Sequence, residues 1–467
     1  MNQLDQRTHH TEGSQASRLR RLVILSCLLS LGVAGISCTD DNGGIGFEPR
    51  EGGSRPTGPN RPVLPALASA ETATFIDPTA TITGAKYILL GRQIYIGPFA
   101  RLLADENSSQ ESTTKPEVDD IQIRIEDETN VQDNVTIYAH VERSAADQQK
   151  VKSLLLHGVE IGERVILAHG SSVKGPAQIG IEGTDIDANP DDDQEVFLSF
   201  GSEVDGAILE KNTGISALGR VGPGVRLRSG FIVLPGKNVT TQQEADNPAL
   251  GKVRLIVEAD VEFNEGVLEV NVAFAREYTK LYRDNPSYVR GINYDPGNTA
   301  FNPERDLPHL AGQETRVPGF RNRIIGEVEL DNTLPELLRV MGNEISIRAD
   351  EGEPFVIGKI ASMDNKVIFH ALEETPIQTG DNVSYGEQAI VHGGGRRPLL
   401  GGGDNEPTII EDDVKLKRQA VVFRSLIGQG ATIGEKSAIV NTDVAPGTII
   451  QDRVIYINNT LFGQVEW

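Results

Sequence analysis

Cysteine is nearly absent: the 467 residues hold two, Cys27 and Cys38, both near the N-terminus. The rest of the chain therefore carries no disulfide and no thiolate ligand, so any metal site must use His, Asp or Glu. Aromatic residues make up 5% and tryptophan occurs once, which excludes a large aromatic binding platform. Basic charge is short as well. Forty-four Lys and Arg face 67 Asp and Glu, a net charge of −23. Phosphate backbones need clustered cations, so a nucleic-acid partner is excluded, and the acidity reads as a self-repelling surface. Long apolar runs are also missing, with one exception at residues 22–37. That run is about 16 residues, shorter than the roughly 20 of a comfortable membrane span.

The exception follows "RLRR" (18–21) and ends in small residues before Cys38. A basic stretch, a short apolar core and small residues are the layout of an export signal. "GISC" resembles a bacterial lipobox, with Gly35 where Leu is usual. The resemblance implies cleavage before Cys38, lipidation of its thiol, and a protein anchored to the bacterial cell envelope by lipid alone. Residues 1–37 are then signal, and 38–70, rich in Gly, Pro and Asp, a flexible tether. A second Pro/Gly-rich stretch, 285–322, reads as a linker between folded units at 71–284 and 323–467.

Within both units apolar residues recur at every sixth position. Ile161, Leu167, Val173 and Ile179 form one run; Ile125, Val131 and Ile137 another; Ile427, Ile433 and Ile439 a third. Helices repeat at three and four, and ordinary strands at two. A period of six with small residues behind it marks a parallel β-helix, each hexapeptide making one side of a triangular prism. The fold class is all-β with minor α. Residues 265–284 break the pattern: Val270, Phe274, Tyr278 and Leu281 are helically spaced and predict a helix packed on the first prism.

Counting hexapeptides places Val391 one coil beyond Phe369 on the same side. His370 and His392 follow them, so the two imidazoles stack on adjacent strands about 4.8 Å apart. That spacing lets them share one metal ion. The first unit repeats the layout with Tyr138 and Lys174 in place of the pair. His169 there occupies the position held by Glu387 in the second unit. His9, His10, His140, His157 and His309 fall outside these positions and read as surface residues. The acidic run 187–195 reads as a solvated loop.

"NVQDNVTIYAH" (130–140), "IGERVILAHGSSVKGP" (161–176), "IRADEG" (347–352) and "VIFHALE" (367–373) resemble γ-class carbonic anhydrases. The resemblance covers nearly all of both units and implies two tandem left-handed parallel β-helices. It also implies trimeric packing, with Zn²⁺ or Fe²⁺ held between prisms by two stacked histidines of one and a third from its neighbour. Neither unit has all three. His370 and His392 of the second, with His169 of the first, make a full set, so the centre is expected to be shared between the two units. Chance retention in two decaying copies is the competing reading. The resemblance further assigns Glu373 to proton transfer and Gln132 and Asn271 to orienting substrate. Arg348, Asp350 and Glu351 match interface and proton-transfer positions. Asp105, Glu106 and Asp133 match in the first unit, where Leu103 replaces an Arg. Asp364 and Asn365 replace the Gln-Asp pair in the second. Lys174 and Tyr138 are expected to meet Glu387 across an abandoned interface, an ion pair standing in for the metal.

The expected activity is reversible hydration of CO₂ to bicarbonate by a homo-oligomer built on trimeric prism packing. The alternatives are a non-catalytic scaffold and, third, a hexapeptide acyltransferase.

Overall fold

The computed structural model describes residues 70–104, 121–183, 195–285, 317–351, 354–372, 375–394 and 406–467. The expected signal segment, Cys38, the tether, most of the 285–322 linker, Asp105, Glu106 and Glu373 lie outside them.

Two tandem parallel β-helices account for most of the described chain. Three sheets of eight, seven and six strands wall the first prism; sheets of eight, six and four wall the second. The sixfold period is the cause. Val173 pairs with Ile137 and Val204, and Val131 with Leu167, each one coil on. All of these side chains are fully buried in the aliphatic interior of the first prism, in two stacked columns, and Ile347, Phe369, Val391 and Val422 form a comparable column in the second. Corners take left-handed backbone more often on other residues than on glycine, as at Asn134 (φ 57) and Glu344 (φ 61). Each eight-stranded sheet ends in an antiparallel strand, Val253–Leu255 in the first prism and Thr460–Gln464 in the second, which turns back on the last coil.

The helices among the described residues are α1 (Ala145–Lys152), α2 (Gln242–Asp246), α3 (Glu258–Asp284) and α4 (Leu334–Val340). The expected helix is α3, and it starts seven residues earlier than its apolar spacing indicated. Val257 has no polar side chain with which to cap. The Asp260 carboxylate closes the end instead, accepting from the Val257 N–H at 3.0 Å and pairing with Arg254 at 2.6 Å. Its buried stripe runs Asn264, Val267, Leu268, Asn271, Phe274, Ala275 and Tyr278. Phe274 and Tyr278 stack on Phe75 and Tyr95 of the first prism.

The prisms lie side by side along their whole length. Arg323 of the second meets Asp77 of the first at 2.8 Å, and Arg101 of the first meets Glu344 at 2.6 Å. Far along the chain, Trp467 Nε1 donates to the Leu218 carbonyl at 2.6 Å, and Glu466 pairs with Lys237 at 3.2 Å. Between these ends a third apolar cluster joins Ile166, Ala168 and Phe200 to Ile368, Ile390 and Val421. Sequence periodicity could not show this, because these residues point out of each prism, where a solvated residue is the default.

Candidate metal centre

His370 and His392 lie directly opposite each other in the paired strands Ile368–Ala371 and Ile390–Gly393. His169 occupies the turn after strand Val165–Leu167 of the first prism. The inter-prism contact brings it to them. One ligand atom from each histidine lies within 4.8 Å of the others, and no more than 3% of any of the three residues is exposed. His169 Nε2 is 3.1 Å from His370 Nδ1. The set that the two units completed in sequence is complete within one chain, so His169 need not come from a second one.

The donors suit a metal. Burial pushes all three imidazoles below their ordinary pKa, His392 to about 3; for His169 and His370, neighbouring histidines and Arg348 add to the effect. Neutral imidazoles keep the lone pair a metal needs. His392 Nδ1 donates to the Gly393 carbonyl at 2.6 Å, which leaves Nε2 as its free lone pair. His169 Nε2 and His370 Nδ1 face each other, a contact that suits two ligands of one ion, while His169 Nδ1 and His370 Nε2 are buried without a hydrogen bond and turn towards the carboxylates behind them.

Behind the histidines runs a fully buried ion-pair chain between prisms. Arg348 Nε donates to Asp133 at 3.0 Å and its Nη1 to Asp350 at 2.6 Å; Tyr278 of α3 donates to Asp350 at 2.7 Å. Asp133 Oδ2 lies 3.5 Å from His169 Nδ1. His370 Nε2 lies 3.4 Å from Asp350 and 3.1 Å from Glu351. Burial raises the Asp133 carboxyl to about 6 against the pull of Arg348. Both units therefore supply residues behind the ligands.

In front lies a pocket of about 270 Å³ lined by Gln132, Phe200, Phe263, Asn271, Glu351 and Leu372 among others. Gln132 Oε1 accepts from the His169 backbone N–H at 3.1 Å. Asn271 Nδ2 donates to Val267 at 2.6 Å, and its Oδ1 is buried without a partner. Of the residues expected to act there, Gln132 and Asn271 line the pocket, whereas Arg348 and Asp350 sit behind the histidines and touch no open space. Sequence reasoning missed Phe200, whose ring lies 6.0 Å from His169 and 4.9 Å from His392, and Glu262, which lines the pocket from α3. Glu262 carried one signal: it falls one helical turn before Gly266, on the side of α3 that meets the pocket.

The abandoned-interface expectation fails within the chain. Leu103, Tyr138, Lys174 and Asp205 stack in register on one sheet of the first prism. Lys174 pairs with Glu203 at 2.7 Å, and Glu203 with Arg220 at 2.7 Å. A carboxylate on the next strand, about 4.8 Å away, neutralises the lysine without help from Glu387. Asn365 caps a turn, accepting from the Asn343 N–H at 2.9 Å, and does not line the pocket. His140 and His157 are exposed, as expected.

The chain is similar to carbonic anhydrase. It is 27% identical to the carbonic anhydrase of Methanosarcina thermophila over 171 residues, which cover 32% of this chain and 61% of that one. It is 26% identical to the carboxysome assembly protein CcmM of Nostoc over 152 residues, 30% of this chain and 24% of the relative. The chain thus spans less than two thirds of either relative. No family model matches the sequence. Among solved structures, a hexapeptide transferase family protein from Anaplasma phagocytophilum aligns with 44% of this chain and 93% of its own, at 18% identity and a TM-score of 0.27.

Proposed function

We propose that the protein is a metal-dependent carbonic anhydrase catalysing the reversible hydration of CO₂. The observation that carries this reading is the buried convergence of His169, His370 and His392 beside a pocket with apolar walls. These three would hold Zn²⁺ or Fe²⁺. Such an ion supplies Lewis acidity, which brings the pKa of a water towards neutrality.

The chain's own residues supply the rest. Phe197, Phe200, Phe263 and Leu372 make the pocket hospitable to a small apolar gas and exclude bulk water. Gln132 spends its carbonyl oxygen on the His169 N–H, so its amide donors are free to hold a substrate oxygen. Asn271 presents the opposite, an acceptor oxygen with no other partner. Glu351, beside His370 on the pocket wall, takes the proton towards solvent, and Glu373 follows Leu372 in the chain. Asp133 and Asp350, each bonded to Arg348, back the His169 and His370 rings at 3.5 and 3.4 Å.

The test is CO₂ hydration by stopped flow on Zn²⁺- and Fe²⁺-loaded protein. Activity that requires His370 and is weakened in Gln132→Ala supports the reading. A second reading, a non-catalytic scaffold, draws on the relatives named as carboxysome assembly proteins. Stoichiometric metal with no hydration would favour it. We also propose that Cys38 is lipidated and tethers the protein to the cell envelope. Cys38→Ser should then release it from the membrane fraction, and a mature N-terminus elsewhere would refute the anchor.

A further inference from the structure

A second cavity, about 330 Å³, lies between the prisms beside the first turns of α3. It shares the rings of Phe197, Phe200 and Phe263 with the metal pocket. Ile232, Ala438, Ile455 and Ile457 make its far wall apolar.

Into this apolar space the chain puts a cation. Arg424 lines the cavity, its guanidinium 4.8 Å from the Phe423 ring centroid and 5.8 Å from that of Phe263. Its Nε is buried and makes no hydrogen bond, and no carboxylate among the described residues pairs with it. Burial lowers its pKa, with no neighbouring acid to raise it. The other charges on the wall are already matched: Arg254 grips Asp260 with two bonds of 2.6 and 2.8 Å, and Asp260 caps α3 as well. Leaving a partly buried guanidinium unpaired is unfavourable, so a cavity that keeps one needs a reason.

We propose that this cavity binds a carboxylate with an aliphatic tail. The carboxylate meets the Arg424 fork, which matches its geometry. The tail lies along Ala438, Ile455 and Ile457. A small inorganic anion would satisfy Arg424 and leave that wall empty. A neutral chain would fill the wall and leave Arg424 unpaired. The ligand would also be felt at the metal centre. Phe200 and Phe423 wall the cavity and pack on His392, at 4.9 and 5.5 Å, and the Arg424 backbone N–H donates to the His392 carbonyl at 3.4 Å.

The test is calorimetric titration of the whole metal-free chain with octanoate, set beside octanol, acetate and bicarbonate. Octanoate should bind at least about tenfold more tightly than each of the others, the loss expected when a charge-assisted bond or the buried tail is missing. Arg424→Gln should lower octanoate to the level of octanol. Ala438→Phe, which keeps Arg424 and fills the apolar end, should abolish octanoate binding and guards against a misfolded Arg424→Gln. Equal binding of octanol, equal binding of acetate or bicarbonate, or full octanoate binding by Ala438→Phe would each overturn the proposal.

Discussion

Arg348 ties the two prisms together. It is fully buried, bonded to Asp133 of one prism and Asp350 of the other, with its face towards the rings of Tyr95 and Phe274. Arg348→Met keeps much of the volume and leaves two carboxylates unpaired. Breaking a buried pair from one side typically destabilises by about 3–5 kcal/mol, and urea unfolding should show a loss of that order. The histidines answer a different question. His169→Ala should empty the centre as fully as His392→Ala, although the two belong to different prisms; metal content after gel filtration is the measurement. Retained metal in His169→Ala would sink the shared centre.

The same residues set the pH response of the metal-free protein. The three imidazoles have folded pKa values below the ordinary 6.5, so unfolding takes up protons below that pH. Their contribution to stability is complete above pH 6.5 and is lost as pH falls through it. Each histidine steepens the loss by about 1.4 kcal/mol per pH unit. Asp133 acts in the opposite sense. Its folded pKa, about 6, lies above the unfolded value of 3.8, so between those limits it offsets one histidine. Stability should therefore fall as pH drops below 6.5, with a slope that grows as the unfolded histidines take up protons and that Asp133 holds below 6 to about that of two histidines. A flat profile from pH 7 to 5 would contradict the burial of these rings as neutral groups.

Among the elements, α3 matters most to the site. It packs Phe274 and Tyr278 on the first prism, reaches Asp350 of the second through the Tyr278 hydroxyl, and sets Asn271 at the pocket. Phe274→Ala should destabilise by about 3–5 kcal/mol and loosen the pocket wall together, because one buried ring supports both. Thermal unfolding and the affinity for Zn²⁺ would register the two effects. The apolar face of α3 was legible from Val270, Phe274 and Tyr278, but its first turns were not, since "EADVEFN" carries acid groups rather than a stripe. The stacking of His370 on His392 was legible because hexapeptides can be counted. The partner of Lys174 was not. A neighbour such as Glu203 lies a full coil away in sequence, and here that separation is 29 residues, more than the roughly 18 of three hexapeptides. Phe200 was likewise invisible: it points out of its prism, and the six-residue rule speaks only for what points in.

For the whole molecule, the decisive fact is that one chain holds both halves of the centre. One metal per chain is the expected stoichiometry, because the corresponding positions of the first prism, Tyr138 and Lys174, offer no second set. Metal analysis against protein concentration would check it, and two ions per chain would disprove it. The family-like packing around a threefold axis is not required for this centre, since His169, His370 and His392 converge without another copy.

The C-terminal clasp, in which Trp467 and Glu466 reach Leu218 and Lys237, has a kinetic meaning. In an assembly of separate prisms, ligands on different chains part company on dilution, and the centre lives only as long as the complex. Here the connecting chain holds each half at an effective concentration of order millimolar, whatever the bulk concentration. Metal capture by such a chain would depend on the concentration of metal and not on its own. A solution dilute enough to separate every molecule would leave each three-histidine cluster intact.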